Sequence, residues 1–261
     1  MYPNSQEEYN EMMSANGEAE MEAQAGLAAE REKLTFSDHK FHPSSLGLIM
    51  TESRTKEELG ETAKAHLMEC YVSRKYGRRK DVTNAYIEKG LLAEEDSFDL
   101  YTLVKDKLFV KNKDTFENKY FIGTPDLIDG QLVVDIKTSW DIFTFFSVMH
   151  KPINKMYYWQ LQAYLDLTGC TEARLVYCLV NTPLKLIEDQ KKKLTWTMGV
   201  IDPDTDQAYI DACEMVDKNS IYDDIPMEER YIEFVVERDN DAIDKAHKRV
   251  EFCREFLNQL K

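Results

Sequence analysis

Gly123-Thr124-Pro125-Asp126-Leu127-Ile128-Asp129-Gly130-Gln131-Leu132-Val133-Val134-Asp135-Ile136-Lys137 is the stretch on which the reading of this chain turns. Asp129-Gly130 is a two-residue hairpin signal between apolar runs, so the flanking segments pair as antiparallel strands. With the turn centred there, Ile128 faces Gln131, Leu127 faces Leu132 and Asp126 faces Val133. Side chains alternate, which puts Val133, Asp135 and Lys137 on one face and Leu132, Val134 and Ile136 on the other. Asp126 then projects from the face of Asp135 as its diagonal neighbour, about 7–8 Å away between backbones. Carboxylates that close repel unless a proton or a hard cation relieves them, and Mg²⁺ prefers carboxylate and water oxygens. Lys137 is placed to touch a substrate rather than the ion. Taken singly, Asp126 also reads as a turn residue and Asp135 with Lys137 as an exposed strand ion pair.

Working outward, about Val82 to Val104 reads as one helix with Ile87, Leu91, Phe98 and Tyr101 on a single stripe. Glu94 lies inside that stripe, either turned toward the acid pair or simply solvated. Glu95, Asp96 and Asp99 point elsewhere. Upstream, a core begins near Phe36, and the segment from His42 to Met50 reads as a short helix capped by serine. Thr55-Lys56-Glu57-Glu58 is a capping box that opens a helix running to about Tyr76. His66, with Leu59, Ala63 and Cys70, reads as a core histidine of that helix. The basic cluster Arg74, Lys75, Arg78, Arg79 and Lys80 follows. Tyr120-Phe121-Ile122 reads as a strand, Tyr157 to Thr168 as a helix ended by Gly169, and Ala173 to Val180 as an apolar strand. A helix near 184–194, a strand at Tyr231 to Val236 and a closing helix from about Ala242 to Leu260 complete the pattern.

The chain has 261 residues, 43% of them hydrophobic and 11% aromatic, which suits one folded domain over 34–261. Residues 1–33 carry eight Glu against Arg31 and Lys33, and form an acidic, flexible extension without a sustained apolar stripe. No apolar run is long enough to cross a bilayer, and the N-terminus lacks the basic-then-apolar order of a secretory signal, so a cytoplasmic location is expected. Cys70, Cys170, Cys178, Cys213 and Cys253 are scattered, which argues against a zinc site or a disulfide framework. The net charge of −15 opposes nucleic-acid binding, which draws on Lys and Arg to neutralise phosphates. Local fields matter more than the total, and both the basic cluster and Lys191-Lys192-Lys193 read as backbone contacts or as ordinary helix charge.

Gly123-Thr124-Pro125-Asp126 followed by Val133-Val134-Asp135-Ile136-Lys137 resembles the core of the PD-(D/E)xK nucleases. Gly90-Leu91-Leu92-Ala93-Glu94 is similar to the helix motif of their YqaJ-like, lambda-exonuclease-like branch. Tyr158-Trp159-Gln160-Leu161-Gln162-Ala163-Tyr164 is similar to its glutamine motif, with the Gln-to-Tyr spacing that RecB-type nucleases share. The resemblance covers about Phe41 to Val180 and implies an α/β (α+β) fold of restriction-endonuclease type, a central mixed sheet flanked by helices. It implies that Asp126, Asp135, Glu94 and the backbone carbonyl of Ile136 hold one or two Mg²⁺ ions, with Mn²⁺ able to substitute. Lys137 would position or help deprotonate the attacking water and Gln160 would orient it, with Gln162, Tyr164 and Arg54 on the substrate side. Gly90 would leave room for a metal or a DNA strand, or mark a packing gap.

Ser44, with Ser45, resembles the serine that helps bind the terminal 5′-phosphate of duplex DNA in this branch; helix capping is the plain alternative. Ser37 stands where that pocket carries an arginine, leaving Lys40, His42 or Arg54 to supply the charge. The resemblance thus implies a 5′→3′ exonuclease on duplex DNA ends in phage-type recombination, acting in a bacterial host. It also implies a single-strand annealing protein as partner and a homo-oligomeric ring that encloses DNA. A RecB-like nuclease of single-strand or endonucleolytic specificity, or a silent nuclease-fold binding module, are the alternatives.

Overall fold

A four-stranded mixed sheet carries the acid hairpin at one edge. The computed structural model describes Met21 and residues 35–53, 59–80 and 83–260, so Arg54, the Thr55 to Glu58 capping box and the extension apart from Met21 lie outside the described residues. Strands β3 (Leu127–Asp129), β4 (Leu132–Thr138), β5 (Glu172–Cys178) and β6 (Tyr231–Glu237) lie side by side in that order. The central pair β4 and β5 is parallel and the outer pairs are antiparallel. A parallel pair needs a crossover, which here runs through α5 (Ile142–Phe146) and α6 (Lys155–Thr168). Gly169 ends α6 in the left-handed conformation, as expected of a glycine stop.

Both faces of the sheet are covered, which is why β5 reads as an apolar strand. On one face Val133 and Leu175 pack against Leu161 and Leu165 of α6. On the other, Val134 and Val176 pack against Phe98 and Tyr101 of α4 (Glu94–Val104). Helices α1 (Pro43–Ile49), α2 (Glu61–Tyr76) and α9 (Asn240–Gln259) join the far side of α6 through Leu46, Ile49, Leu67, Ala163, Val250 and Leu257. Gly47 is the point of closest approach there: a Cβ would come within 2.7 Å of the Met156 backbone.

Three local expectations are corrected. The hairpin pairs Asp129 with Leu132 and Leu127 with Val134, so its turn is Gly130-Gln131 rather than Asp129-Gly130. Only Gly130 has a positive φ, 63°, which is the type II′ demand of glycine at the first loop position. The single helix expected over Val82 to Val104 breaks at buried Ala93 into α3 (Ala85–Leu92) and α4. Glu94, Glu95 and Asp96 fill the first turn of α4, where acids complement the helix dipole. The stripe is therefore interrupted: Phe98 and Tyr101 are buried, whereas Ile87 and Leu91 are exposed and α3 buries Lys89 instead. Finally, serine does not cap α1. Pro43 takes its first turn behind His42, where a missing N–H costs nothing, and Ser45 Oγ donates back to the His42 carbonyl at 2.8 Å. Strand β2 (Ile122–Gly123) falls at the end of the strand expected over Tyr120 to Ile122 and α7 (Leu184–Met198) covers the helix expected near 184–194, whereas β1 (Phe116–Glu117), α5 and α8 (Gln207–Lys218) lack a sequence signal of comparable strength.

Candidate active site

The corrected register moves Asp126 from opposite Val133 to opposite Asp135, one step beyond the last β3 pair. Side-chain parity is unchanged by a slip of two partner positions, so the acids still meet, now directly rather than on the diagonal. Asp126 is oriented from three directions. Its Oδ2 accepts from the Ile136 N–H at 2.7 Å, its carbonyl accepts from the Asn112 N–H at 2.8 Å, and buried Pro125 precedes it. The preceding loop is held by the Tyr164 hydroxyl, which donates to the Thr124 carbonyl at 3.3 Å. Gly123 is needed here, because a Cβ would come within 2.7 Å of the Pro43 ring. That contact sets α1, and with it Ser44, against the strand that leads into Asp126.

Asp135 is 1% exposed. Its Oδ1 accepts from Gln160 Nε2 at 2.7 Å. Its Oδ2 has the Lys137 ammonium at 2.8 Å but no hydrogen bond of proper geometry. Burial, more than anything else, holds the Asp135 carboxyl above the ordinary range, with Lys137 pulling it back down. Burial and then the Asp135 charge push Asp126 up to about 6, against the Ile136 N–H and Lys137. Burial disfavours the Lys137 charge, yet the attraction of Asp135 outweighs it and its pKa is raised. The Lys137 ammonium also lies 5.3 Å from the centre of the Tyr157 ring.

These shifts carry a pH dependence. An acid with a raised folded pKa binds its proton more tightly folded than unfolded, so its ionisation opposes folding. For Asp126 this cost is absent below the ordinary 3.8 and complete above about 6. The melting temperature of the metal-free protein should therefore fall between those values relative to Asp126→Asn, by roughly 6–12 °C given about 3 kcal/mol across that window and 2–4 °C per kcal/mol for a domain of this size. Calorimetry of both proteins across that window checks it, and parallel profiles would refute it.

The other expected residues are distributed unevenly. Gln160 reaches Asp135 rather than open space, so any effect on water passes through that carboxylate. Gln162 is fully buried and spends its amide on the Glu237 carbonyl and the Asp239 N–H, which ties α6 to the start of α9 and removes it from the substrate side. Tyr164 is nearly buried and acts on the Thr124 loop. Glu94 does not complete a triad: its carboxylate pairs with Lys111 at 2.9 Å. Among the described residues no group of three His, Cys, Asp or Glu side chains is close enough to cage an ion. A cation here would draw on Asp126, the under-satisfied Oδ2 of Asp135, backbone oxygen and water. Glu94 would be available once released from Lys111.

Asp126, Ile136, Lys137, Glu94 and Ser44 line one cleft of about 1070 Å³. Apolar and aromatic side chains, Tyr86, Ile87, Leu91, Trp140 and Tyr157, also line it. The Tyr86 and Trp140 rings lie 4.6 Å apart. Gly90 also faces the cleft, and a Cβ there would meet nothing within 4 Å, so it is not a packing gap. Ser44 and Ser45 line a second cavity of about 500 Å³ with Lys40, Arg74, Arg79 and Lys80. Ser44 belongs to both. His66 lines that second cavity, half-buried, rather than sitting in the core, and burial lowers its pKa. Lys191 and Lys192 pair with Asp217 and Asp189 on helix surfaces. Lys111, Asn112 and Trp140 were not legible as site residues; none sits in a periodic or motif context.

No family model matches the chain, and no curated protein matches it. Solved structures do. The chain is similar to a phage-related exonuclease from Haemophilus somnus 129PT, with a TM-score of 0.68 and 27% identity over 84% of this chain and 94% of that one. It is also similar to an alkaline exonuclease from Laribacter hongkongensis, with a TM-score of 0.57 and 15% identity over 85% and 89% of the two chains. The latter in complex with dAMP gives a TM-score of 0.56 at 16% identity over 84% and 87%. The fold is that of the nuclease-fold exonucleases. With the motifs on β3, β4, α4 and α6, it places the chain in the YqaJ-like, lambda-exonuclease-like superfamily.

Proposed function

We propose that the chain is a Mg²⁺-dependent DNA exonuclease that hydrolyses phosphodiester bonds from the 5′ ends of duplex DNA. The observation that carries this reading is the sharing of Ser44 between the cleft of Asp126 and Lys137 and the cavity of Lys40, Arg74, Arg79 and Lys80. A terminal phosphate held in the basic cavity would leave the adjoining phosphodiester over the acids. The cavity also answers the net charge of −15, since affinity needs cations only where the backbone lies.

The acid pair suits a hard cation: Asp135 Oδ2 is buried without a good donor, and Asp126 is held above its ordinary pKa beside it. When bound, Mg²⁺ would lower the pKa of a water and offset charge on the attacked phosphate. Asp126 and Asp135 would hold it, with Mn²⁺ able to substitute. Lys137, beside Asp135, offers an ammonium to the phosphoryl oxygens and to the entering water. Gln160 fixes Asp135 in its rotamer. Resection of this kind leaves 3′ single strands, which suits a role in phage-type recombination beside a single-strand annealing protein. A ring of copies around the duplex would let the outer surface stay acidic.

The test is digestion of linear duplexes bearing 5′-phosphate or 5′-hydroxyl ends, and of closed circles, with Mg²⁺. Mononucleotide release is expected from phosphorylated ends, roughly 10-fold or more slower from 5′-hydroxyl ends as one charge-assisted contact set is lost, and absent from circles and with Asp126→Ala. Cutting of circles would instead establish an endonuclease, and no cutting of any substrate a binding module.

A further inference from the structure

We infer that Lys111 and Asn112 are a paired positioning element of the acid centre: Asn112 fixes Asp126, and Lys111 holds Glu94 as an internal cation that a divalent metal must displace. The inference rests on the metal-site reading above and adds two residues to it. They are neighbours in the segment between α4 and β1, and they reach the two acids from one short piece of chain. The Asn112 N–H donates to the Asp126 carbonyl at 2.8 Å, and its Nδ2 donates to the Pro125 carbonyl at 2.9 Å and to the Asp114 carbonyl at 3.0 Å. Lys111 Nζ lies 2.9 Å from Glu94 Oε1 and 2.5 Å from Glu95 Oε1. The lysine side chain is only 24% exposed, and Glu94 is 47% exposed.

The arrangement explains why three acids that line or underlie one cleft do not form a cluster. Asp126 and Asp135 meet because the hairpin register makes them meet. Glu94 starts a helix, where the backbone dipole favours a carboxylate, and its negative charge is already matched by a lysine rather than by the aspartate side. A divalent ion entering between the aspartates offers Glu94 twice the charge of an ammonium. Glu94 would then exchange partners, leaving Lys111 with Glu95 alone. Metal binding is thus an exchange of cations, and its free energy is reduced by whatever the Lys111–Glu94 pair contributes. Asn112 keeps Asp126 fixed during that exchange, since its hydrogen bonds go to backbone carbonyls and not to the carboxylate.

The experiment is calorimetric titration of the DNA-free full chain with Mn²⁺ and with Mg²⁺. Lys111→Met should tighten binding roughly two- to fivefold, the span of a partly exposed ion pair. Lys113→Met, which removes an exposed cation two residues along the chain, controls for the general field and should change affinity less than about twofold. In the Lys111→Met background, Glu94→Gln should abolish the gain. Equal effects of Lys111→Met and Lys113→Met, or weaker binding by Lys111→Met, would overturn the exchange while leaving the metal site standing, provided Asp126→Asn weakens binding. No binding by the wild type would overturn both.

Discussion

Asp135→Asn is expected to lower the rate of phosphodiester hydrolysis by at least about 10³-fold, the order lost when a group that places a catalytic cation is removed, while leaving the protein folded and no less stable. The two halves of this expectation come from the same burial. Asp135 is 1% exposed, and its carboxyl is held above the usual range chiefly by burial. Ionising Asp135 therefore places a charge where burial disfavours it. An amide of the same shape still accepts from Gln160 and no longer confronts Asp126. Lys137, 27% exposed, can turn its ammonium to solvent when its partner is neutral. The melting temperature of the metal-free variant should match the wild type or exceed it by roughly 2–4 °C, equivalent to about 1 kcal/mol in a domain of this size. Added Mg²⁺ should raise the melting temperature of the wild type and not that of the variant, because only a ligand that binds the native state shifts unfolding. Turnover on a linear duplex and calorimetry with and without Mg²⁺ measure both halves. A collapse in stability would show that Asp135 is a structural anchor, and the assignment of the acid pair would have to be abandoned.

How much of this was readable beforehand depended on the range of the interaction. Period-two alternation in β4 and a glycine at the turn are local, and the shared face of Asp126 and Asp135 survived a misplaced turn because the error moved the partner by two residues. A slip of one would have sent Asp126 to the face of α4. The stop at Gly169 was equally local. The break at Ala93 was not, since alanine is the best helix former and nothing in its neighbours forbids continuation. It follows from three acids gathering where a new helix start rewards them. Gln160 and Gln162 shared one motif, yet residues two apart on a helix point to nearly opposite sides. That spacing alone could have separated the glutamine that meets Asp135 from the one that ties down β6. Lys89, Lys111 and Asn112 were hidden for a different reason: their partners lie far along the chain or belong to backbone carbonyls, and long polar side chains leave no periodic trace.

Lys137→Met separates charge from architecture in the other direction, and it should cost both stability and activity. Its ammonium lies 2.8 Å from a carboxylate oxygen that has no other good partner, next to a second aspartate. Deleting it leaves two acids facing each other in a place where burial already opposes their charge. Removing one member of a buried pair costs about 3–5 kcal/mol, and the partial exposure of Lys137 brings the expectation down to roughly 2–3 kcal/mol. Part of that is recovered by protonation, so the Asp126 and Asp135 carboxyls of the variant should titrate higher still than those of the wild type. The loss of stability should accordingly be small near pH 4, where Asp126 is protonated and no longer adds a second charge beside Asp135, and full above about 6, where even the wild-type Asp126 is ionised. Mg²⁺ supplies the missing positive charge and should restore most of the stability without restoring turnover, which is expected to stay about 10²–10³-fold down for want of the ammonium at the phosphoryl oxygens. Chemical denaturation at two pH values, with and without Mg²⁺, set beside single-turnover rates, distinguishes the outcomes. Recovery of rate along with stability would mean that Lys137 serves only to neutralise Asp135, and that the proton transfers and charge stabilisation of the reaction belong to other groups in the cleft.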